Sequence, residues 1–135
     1  FYKVYRSGSA RWGGLHPYPQ RFFESLFSRR DEGVLIWGAF HDAVLIAAHV
    51  DFYFGATAQA WQAGVAPEAH QHDAAALLVM RAVREAIERK GDVFNLGSSG
   101  GDAGMIFFKE SMGAEERCYR IVERERGWWR WLRKR

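Results

Sequence analysis

Cysteine is almost missing from this chain of 135 residues, with Cys118 standing alone. An internal disulfide is therefore excluded, and the usage fits a reducing compartment. No histidine sits near Cys118 in sequence to activate it, so it reads as a packed strand residue. Long apolar runs are missing too: nothing approaches the roughly eighteen residues of a membrane-spanning helix. No secretory leader is visible, and the chain opens on Phe1 without a methionine, as a fragment or trimmed chain would. These absences point to the cytoplasm, with a peripheral position at the inner membrane face as the variant. Metal chemistry has little to draw on. His70 and His72 flank Gln71, but no cysteine or carboxylate at zinc spacing joins them, so no metal is expected.

Nearly half of the residues are apolar and the aromatic share is 16%, so the chain can bury a proper core as one domain over residues 1–135. The net charge of +3 is modest, and its placement matters more. The last dozen residues hold six basic groups together with Trp128, Trp129 and Trp131. Such a mixture stacks on RNA bases, sits on an anionic surface, covers an apolar partner, or simply packs its tryptophans under a solvated basic tail. The last reading is favoured, with a partner surface next.

Periodicity gives a coarse map. Phe1–Arg11 is a helix or irregular lead-in with Tyr2, Val4 and Tyr5 as apolar contacts, broken by Gly13-Gly14 and Pro17/Pro19. A helix opens at Pro19 and runs to about Ser28, with Phe22, Phe23, Leu26 and Phe27 on one face. Strand Val34–Phe40, a turn at His41-Asp42 and strand Ala43–Phe54 form a hairpin. Alternation puts Val44, Ile46, Ala48, Val50, Phe52 and Phe54 on one face and Leu45, Ala47, His49, Asp51 and Tyr53 on the other. A third strand, about Thr57 to Gly64, groups Thr57, Gln59, Trp61 and Ala63. Asp73 is the expected N-cap of a helix Ala74–Lys90 closed by Gly91, with Leu77, Met80, Val83, Ala86 and Ile87 buried. Arg81/Glu85, Arg84/Glu88 and Glu85/Arg89 are surface pairs. Strand Val93–Leu96, a glycine loop, a helix carrying Phe107-Phe108-Lys109 and a last strand near Arg117–Arg124 complete the order β-β-β-α-β-α-β. This is a mixed α+β pattern, compatible with several folds.

The stretch Asn95–Glu115 carries the most chemistry. An apolar strand empties into Gly97-Ser98-Ser99-Gly100-Gly101, and the loop feeds a helix. Amides at a helix start are unpaired and suit a phosphate, a carboxylate or an oxyanion, and glycines let the backbone approach a ligand. Lys109 adds a positive charge downstream.

The segment LGSSGGDAGMIFFKESMGAE resembles the closing signature of FemAB-like proteins, with its small-residue loop, FK pair and Met-Gly turn. FYKVYRSGSARWGGLHPYPQRFFESLF resembles the segment that opens their second half. The resemblance therefore spans nearly the whole chain. It implies a GNAT-like fold: a central, mostly antiparallel sheet flanked by helices, and here one unit, the C-terminal half of a tandem protein or a homodimer partner. It also implies an N-acyltransferase acting on an amine of a cell-wall or surface-polysaccharide precursor. The donor would be an aminoacyl-tRNA or an acyl-CoA, with no tightly bound cofactor. Two alternatives stand beside this one: an acetyl-CoA-dependent GNAT acetyltransferase, and a non-catalytic binding half.

Such a reaction must position an amine and an acyl carbonyl, accept a proton and stabilise an oxyanion. Lys109 matches the FK lysine that FemAB-like proteins place near the transferring group, and Phe108 matches its packing neighbour. The amides of Gly97–Gly101 join Lys109 as oxyanion donors. His49 and Asp51 form the candidate proton-accepting or amine-orienting pair, with Tyr53 on the same strand face. Trp61 is the candidate wall of a pocket. Many coenzyme A-dependent GNAT enzymes carry Arg/Gln-x-x-Gly-x-Gly/Ala before the central helix. The corresponding stretch here, Gly64 to Ala74, has no glycine after Gly64, and Pro67 lacks an amide donor, so the usual pyrophosphate loop is not expected.

Overall fold

The computed structural model of the chain describes residues 1–9, 17–120 and 122. Helices α1 (Tyr2–Ser9) and α2 (Gln20–Phe27) come first, followed by strands β1 (Val34–His41), β2 (Val44–Phe54) and β3 (Thr57–Val65). A 3-10 turn (Pro67–His72) leads to α3 (Ala74–Glu88), and β4 (Val93–Asn95) and α4 (Ala103–Ser111) follow. The sheet order is β1-β2-β3-β4, with antiparallel pairs except for the parallel β3–β4 pair.

The β1–β2 hairpin closes one residue later than the sequence suggests. His41 pairs with Val44, and Asp42 and Ala43 both take positive φ, 48° and 62°. Two left-handed residues make the tight turn whose twist matches the flanking strands. On β2 the expected alternation meets a bulge. Val50 pairs with Gln62 but Asp51 pairs with Ala60, which leaves Trp61 opposite no residue. Trp61 and Ala63 therefore do not share a face, because the extra residue reverses the alternation. Trp61 turns to α2 and lies 5.3–6.0 Å from the rings of Tyr18, Phe22, Phe23 and Phe52. Ala63 pairs with His49.

Helix α1 rides on the Trp61 side of β3. A Cβ on Gly64 would meet the Tyr5 Cα at 2.7 Å, so glycine is what allows the helix to sit that close. Tyr5 is buried, packs edge-on against Phe23 at 4.7 Å, and accepts a hydrogen bond from the Tyr18 amide at its hydroxyl (3.2 Å).

Helix α3 covers the opposite face. Its buried positions are Ala74, Leu78, Val79, Ala82 and Ala86. Of the expected stripe Ala86 is buried and Val83 half-buried, but Leu77, Met80 and Ile87 are exposed. Bulky groups come instead from the sheet, and small helix residues make room for them. Tyr53 donates its hydroxyl to the Ala82 carbonyl (3.0 Å), and the Arg81 guanidinium lies 4.4 Å over the Trp37 ring. Arg81 and Arg89 both pair with Glu85, while Glu88 turns to Arg81.

Two other expectations change. Asp73 occupies the N-cap position, but at φ 47° its side chain makes no capping bond, because its amide closes the preceding 3-10 turn on the Ala69 carbonyl. Residues 117–120 form no strand, and Cys118 is exposed rather than packed. The rest of the expected last strand, apart from Val122, and the Trp/Arg tail lie outside the described residues. No helix among the described residues is long and apolar enough to cross a membrane.

Candidate active site

The sheet opens where β4 ends. Strand β3 runs nine residues, but β4 pairs only with Thr57, Ala58 and Gln59. Beyond that point β4 no longer pairs with β3: the Ala60 carbonyl accepts from the Gln59 side chain (2.6 Å), and the stretch from Trp61 to Gly64 is an open strand edge within the described residues. A cavity of about 670 Å³ fills the opening. Its floor is Ala60, Ala63 and Val65 of β3 with Ala48 and His49 of β2. One wall is the start of α3, from Asp73 to Ala76, beside His70. The other wall is Leu96 and α4, including Phe108 and Lys109.

The start of α3 supplies donors. The first helical hydrogen bond is from the Leu77 amide to the Asp73 carbonyl (3.0 Å), so the amides of Ala74–Ala76 precede the ladder. Ala74 is buried and Ala75 and Ala76 are half-buried, all three line the cavity, and the helix dipole adds a positive field. The Asp73 carboxylate at the same rim works against an anion. These residues were missed by sequence reasoning. The available signal was Gln71-x-x-Ala74-x-Ala76, the spacing of the Arg/Gln-x-x-Gly-x-Gly/Ala loop with alanine where the first glycine stands.

The glycine loop behaves differently from expectation. The Gly97 amide donates to the Asn95 side chain (2.8 Å), and the Gly100 amide to the Ser98 hydroxyl (3.1 Å). The Ser99 carbonyl accepts from the Asp102 amide (2.9 Å). The α4 start is capped by Asp102, which accepts from the Met105 amide (2.8 Å). These donors serve the loop itself, and none of Gly97, Ser98, Ser99, Gly100 or Gly101 lines the cavity.

Lys109 does line it. The side chain is buried, and Nζ donates to the Gly97 carbonyl (2.7 Å). Burial lowers its pKa from the usual lysine range. One of three ammonium donors is thus engaged, and the others are free to face a ligand oxygen.

His49 and Asp51 come together as expected, but only His49 reaches the cavity. His49 Nδ1 lies 3.3 Å from Asp51 Oδ1, at ion-pair distance but off the line of a good hydrogen bond. Asp51 is wholly buried, and neither carboxylate oxygen has a hydrogen bond of good geometry. Burial pushes the Asp51 carboxyl up to about 7, against the smaller opposing pull of the nearby Trp37 N–H, and holds His49 down to about 4. Tyr53 stands under α3 with its hydroxyl pushed up to about 12 by burial, and Trp61 sits on the other face of the sheet. Neither lines the cavity.

With this geometry in view, the comparisons are specific about the family. Residues 1–109 match the family model described as an acetyltransferase (GNAT) domain. The chain belongs to this family, and its domain is that of an N-acyltransferase. Among curated proteins none matches in sequence. Solved structures share the fold at low identity. Aminoglycoside acetyltransferase AAC(6')-Iy, in complex with a CoA-containing bisubstrate analog, aligns with TM-score 0.71 and 16% identity, over 92% of this chain and 90% of that one. The acetyltransferase meta-AAC0020, from an uncultured soil metagenomic sample in complex with sisomicin, gives TM-score 0.72 and 12% identity over 93% and 88%. A ribosomal-protein-alanine N-acetyltransferase from Brucella melitensis gives TM-score 0.64 and 18% identity over 80% and 82%.

Proposed function

We propose that this domain transfers an acyl group, most simply acetyl, from an acyl-CoA thioester to a primary amine. The observation that carries this reading is the opening between β3 and β4, which joins an open strand edge to the N-terminus of α3 within one cavity. A donor of the coenzyme A type fits those features. The amides of Ala74–Ala76 would hold its phosphates, and the open edge from Trp61 to Gly64 suits an extended chain of amides. The thioester supplies the activated carbonyl. The fold neighbour AAC(6')-Iy is solved in complexes with CoA and with a CoA bisubstrate analog, which supports a donor of this class.

The chain's own residues then divide the work. Lys109 Nζ, held by the Gly97 carbonyl, offers charge and donors to an oxyanion. His49, neutral near pH 7 because burial lowers its pKa, is able to take the proton of the attacking amine. The acceptor is an amine-bearing small molecule or peptide; aminoglycosides are the class named for several neighbours. The FemAB-type reading, an aminoacyl-tRNA donor and a cell-wall or polysaccharide acceptor, ranks second. It draws on the Phe1–Phe27 and Leu96–Glu115 motifs, and nothing in the fold neighbours adds to it.

The test is thiol release from acetyl-CoA in the presence of a panel of primary amines, with aminoacyl-tRNA as a parallel donor. Amine-dependent thiol release supports the proposal. Transfer from aminoacyl-tRNA with no reaction from acetyl-CoA would reverse the ranking.

A further inference from the structure

Four polar atoms meet in the layer between β1, β2 and α3 without a hydrogen bond of good geometry: Trp37 Nε1, His49 Nδ1 and both oxygens of Asp51, the Trp37 N–H lying near enough to the carboxyl to favour its charged form. A buried carboxylate is expensive to keep, and an apolar residue of similar size would serve packing better. The strands nonetheless bring this group under a residue of the cavity. Trp37 pairs with His49 across β1–β2, and Asp51 follows His49 by two residues on the same face. The β3 bulge falls opposite this dipeptide step, where a strand irregularity re-aims side chains. His49 turns Nδ1 inward to Asp51 and lines the cavity, so Nε2 is the nitrogen available on the far side of the ring.

We infer that Asp51 is a positioning residue that fixes the protonation geometry of His49, so that the ring holds its proton on Nδ1 and keeps an open lone pair on Nε2 for the incoming amine. The inference rests on the acyl-transfer reading of the cavity and goes beyond it by placing Asp51 behind the site rather than in it. As the amine nitrogen bonds to the acyl carbon and the carbon–sulfur bond breaks, the amine proton passes to Nε2. The imidazolium is then stabilised by the carboxylate at Nδ1. The proton goes on to the departing thiolate, which leaves as a thiol, so charge and atoms balance.

The state of the carboxyl decides whether this arrangement holds. Ionised Asp51 accepts from Nδ1–H. Protonated Asp51 donates to Nδ1, moves the ring proton to Nε2 and removes the lone pair from the cavity. Other groups near the pair are few. Trp37 stands on β1 and Tyr53 on β2, while β3 contributes only Ala60 and Ala63. From α3, Arg81 lies over Trp37, and Glu85 acts on Tyr53. Lys109 of α4, the α4 N-cap Asp102, His70 and Asp73 face the same cavity. Asp51 is the one carboxyl in contact with the His49 ring among the described residues.

The experiment is nitrogen-15 NMR of histidine-labelled full chain across pH, for the wild type, Asp51→Asn and Asp51→Leu, with acetyl-CoA calorimetry and amine-dependent thiol release on each. The wild type should show the Nδ1–H form of His49 at pH 8 and lose it as the pH falls through about 7. Asp51→Asn, nearly isosteric, should keep a carbonyl acceptor for Nδ1–H but lose that pH step. Asp51→Leu should shift the ring toward the Nε2–H form and lower kcat by about tenfold or more with acetyl-CoA affinity unchanged. A wild-type ring already in the Nε2–H form at pH 8, or a Leu variant with the same ring spectrum and pH profile, overturns the inference alone. Absence of acetyl-CoA binding in the wild type brings down the reading of the cavity itself, and the inference with it.

Discussion

Folding should move a proton between two residues of this protein, and that has a measurable signature. Unfolded, Asp51 and His49 titrate near 3.8 and 6.5; burial takes them to about 7 and about 4. Between about pH 4 and 6.5 the unfolded chain carries the proton on His49, and the folded chain carries it on Asp51. Both states bind one proton, so the pair adds no slope to stability there. Asp51→Asn removes one side of the balance. The folded pKa of His49 is depressed, so its share is present above about pH 6.5 and lost as pH falls to about 4, a change of about 3 kcal/mol. His49→Gln removes the other side. The folded pKa of Asp51 is raised, so its share is present below about pH 3.8 and lost as pH rises to about 7, about 4 kcal/mol. Urea unfolding across this range, read as differences from the wild type, cancels the slopes of the remaining carboxylates. Stability should rise with pH in the Asn variant and fall with pH in the Gln variant. Differences that are flat or of the same sign in both would refute the exchange.

Other outcomes follow from single contacts. Lys109→Met keeps the apolar stem and removes the ammonium; turnover should drop by about 100- to 1,000-fold with little change in melting temperature, measured by thiol release and calorimetry. Gly64→Ala drives a Cβ into the Tyr5 backbone and should destabilise the fold by about 1–3 kcal/mol, checked by urea unfolding. Asp73→Asn removes a carboxylate from the rim of the α3 N-terminus. At about 6 Å in water the repulsion is roughly 0.7 kcal/mol, so acetyl-CoA should bind about threefold tighter at low salt, an effect that fades as salt is added.

Much of the fold was legible because hydrophobic alternation and turn chemistry report local geometry. The β1–β2 hairpin, the His49/Asp51/Tyr53 face and the helix carrying Lys109 all emerge from spacing. Trp61 was misplaced because a bulge is one residue long and leaves no compositional trace. The phase of α3 was misread for a different reason. Size normally marks a core face, but here the sheet brings Tyr53 and Trp37, and the helix answers with Ala74, Ala82 and Ala86. The glycine loop misled in the opposite sense: Asn95 and Ser98 take the Gly97 and Gly100 amides, Asp102 caps α4 at Met105, and no residue from Gly97 to Gly101 lines the cavity. The cavity-lining N-terminus of α3 stayed hidden because alanine stands where the glycine of the usual signature would.

The decisive measurement is an amide NMR titration of the chain with acetyl-CoA. Saturable shifts should centre on Ala74–Ala76 and on the open edge from Trp61 to Gly64, with Lys109 and His49 side-chain signals moving in step. Shifts confined to the Gly97–Gly101 loop, or no response at all, would contradict a donor seated there.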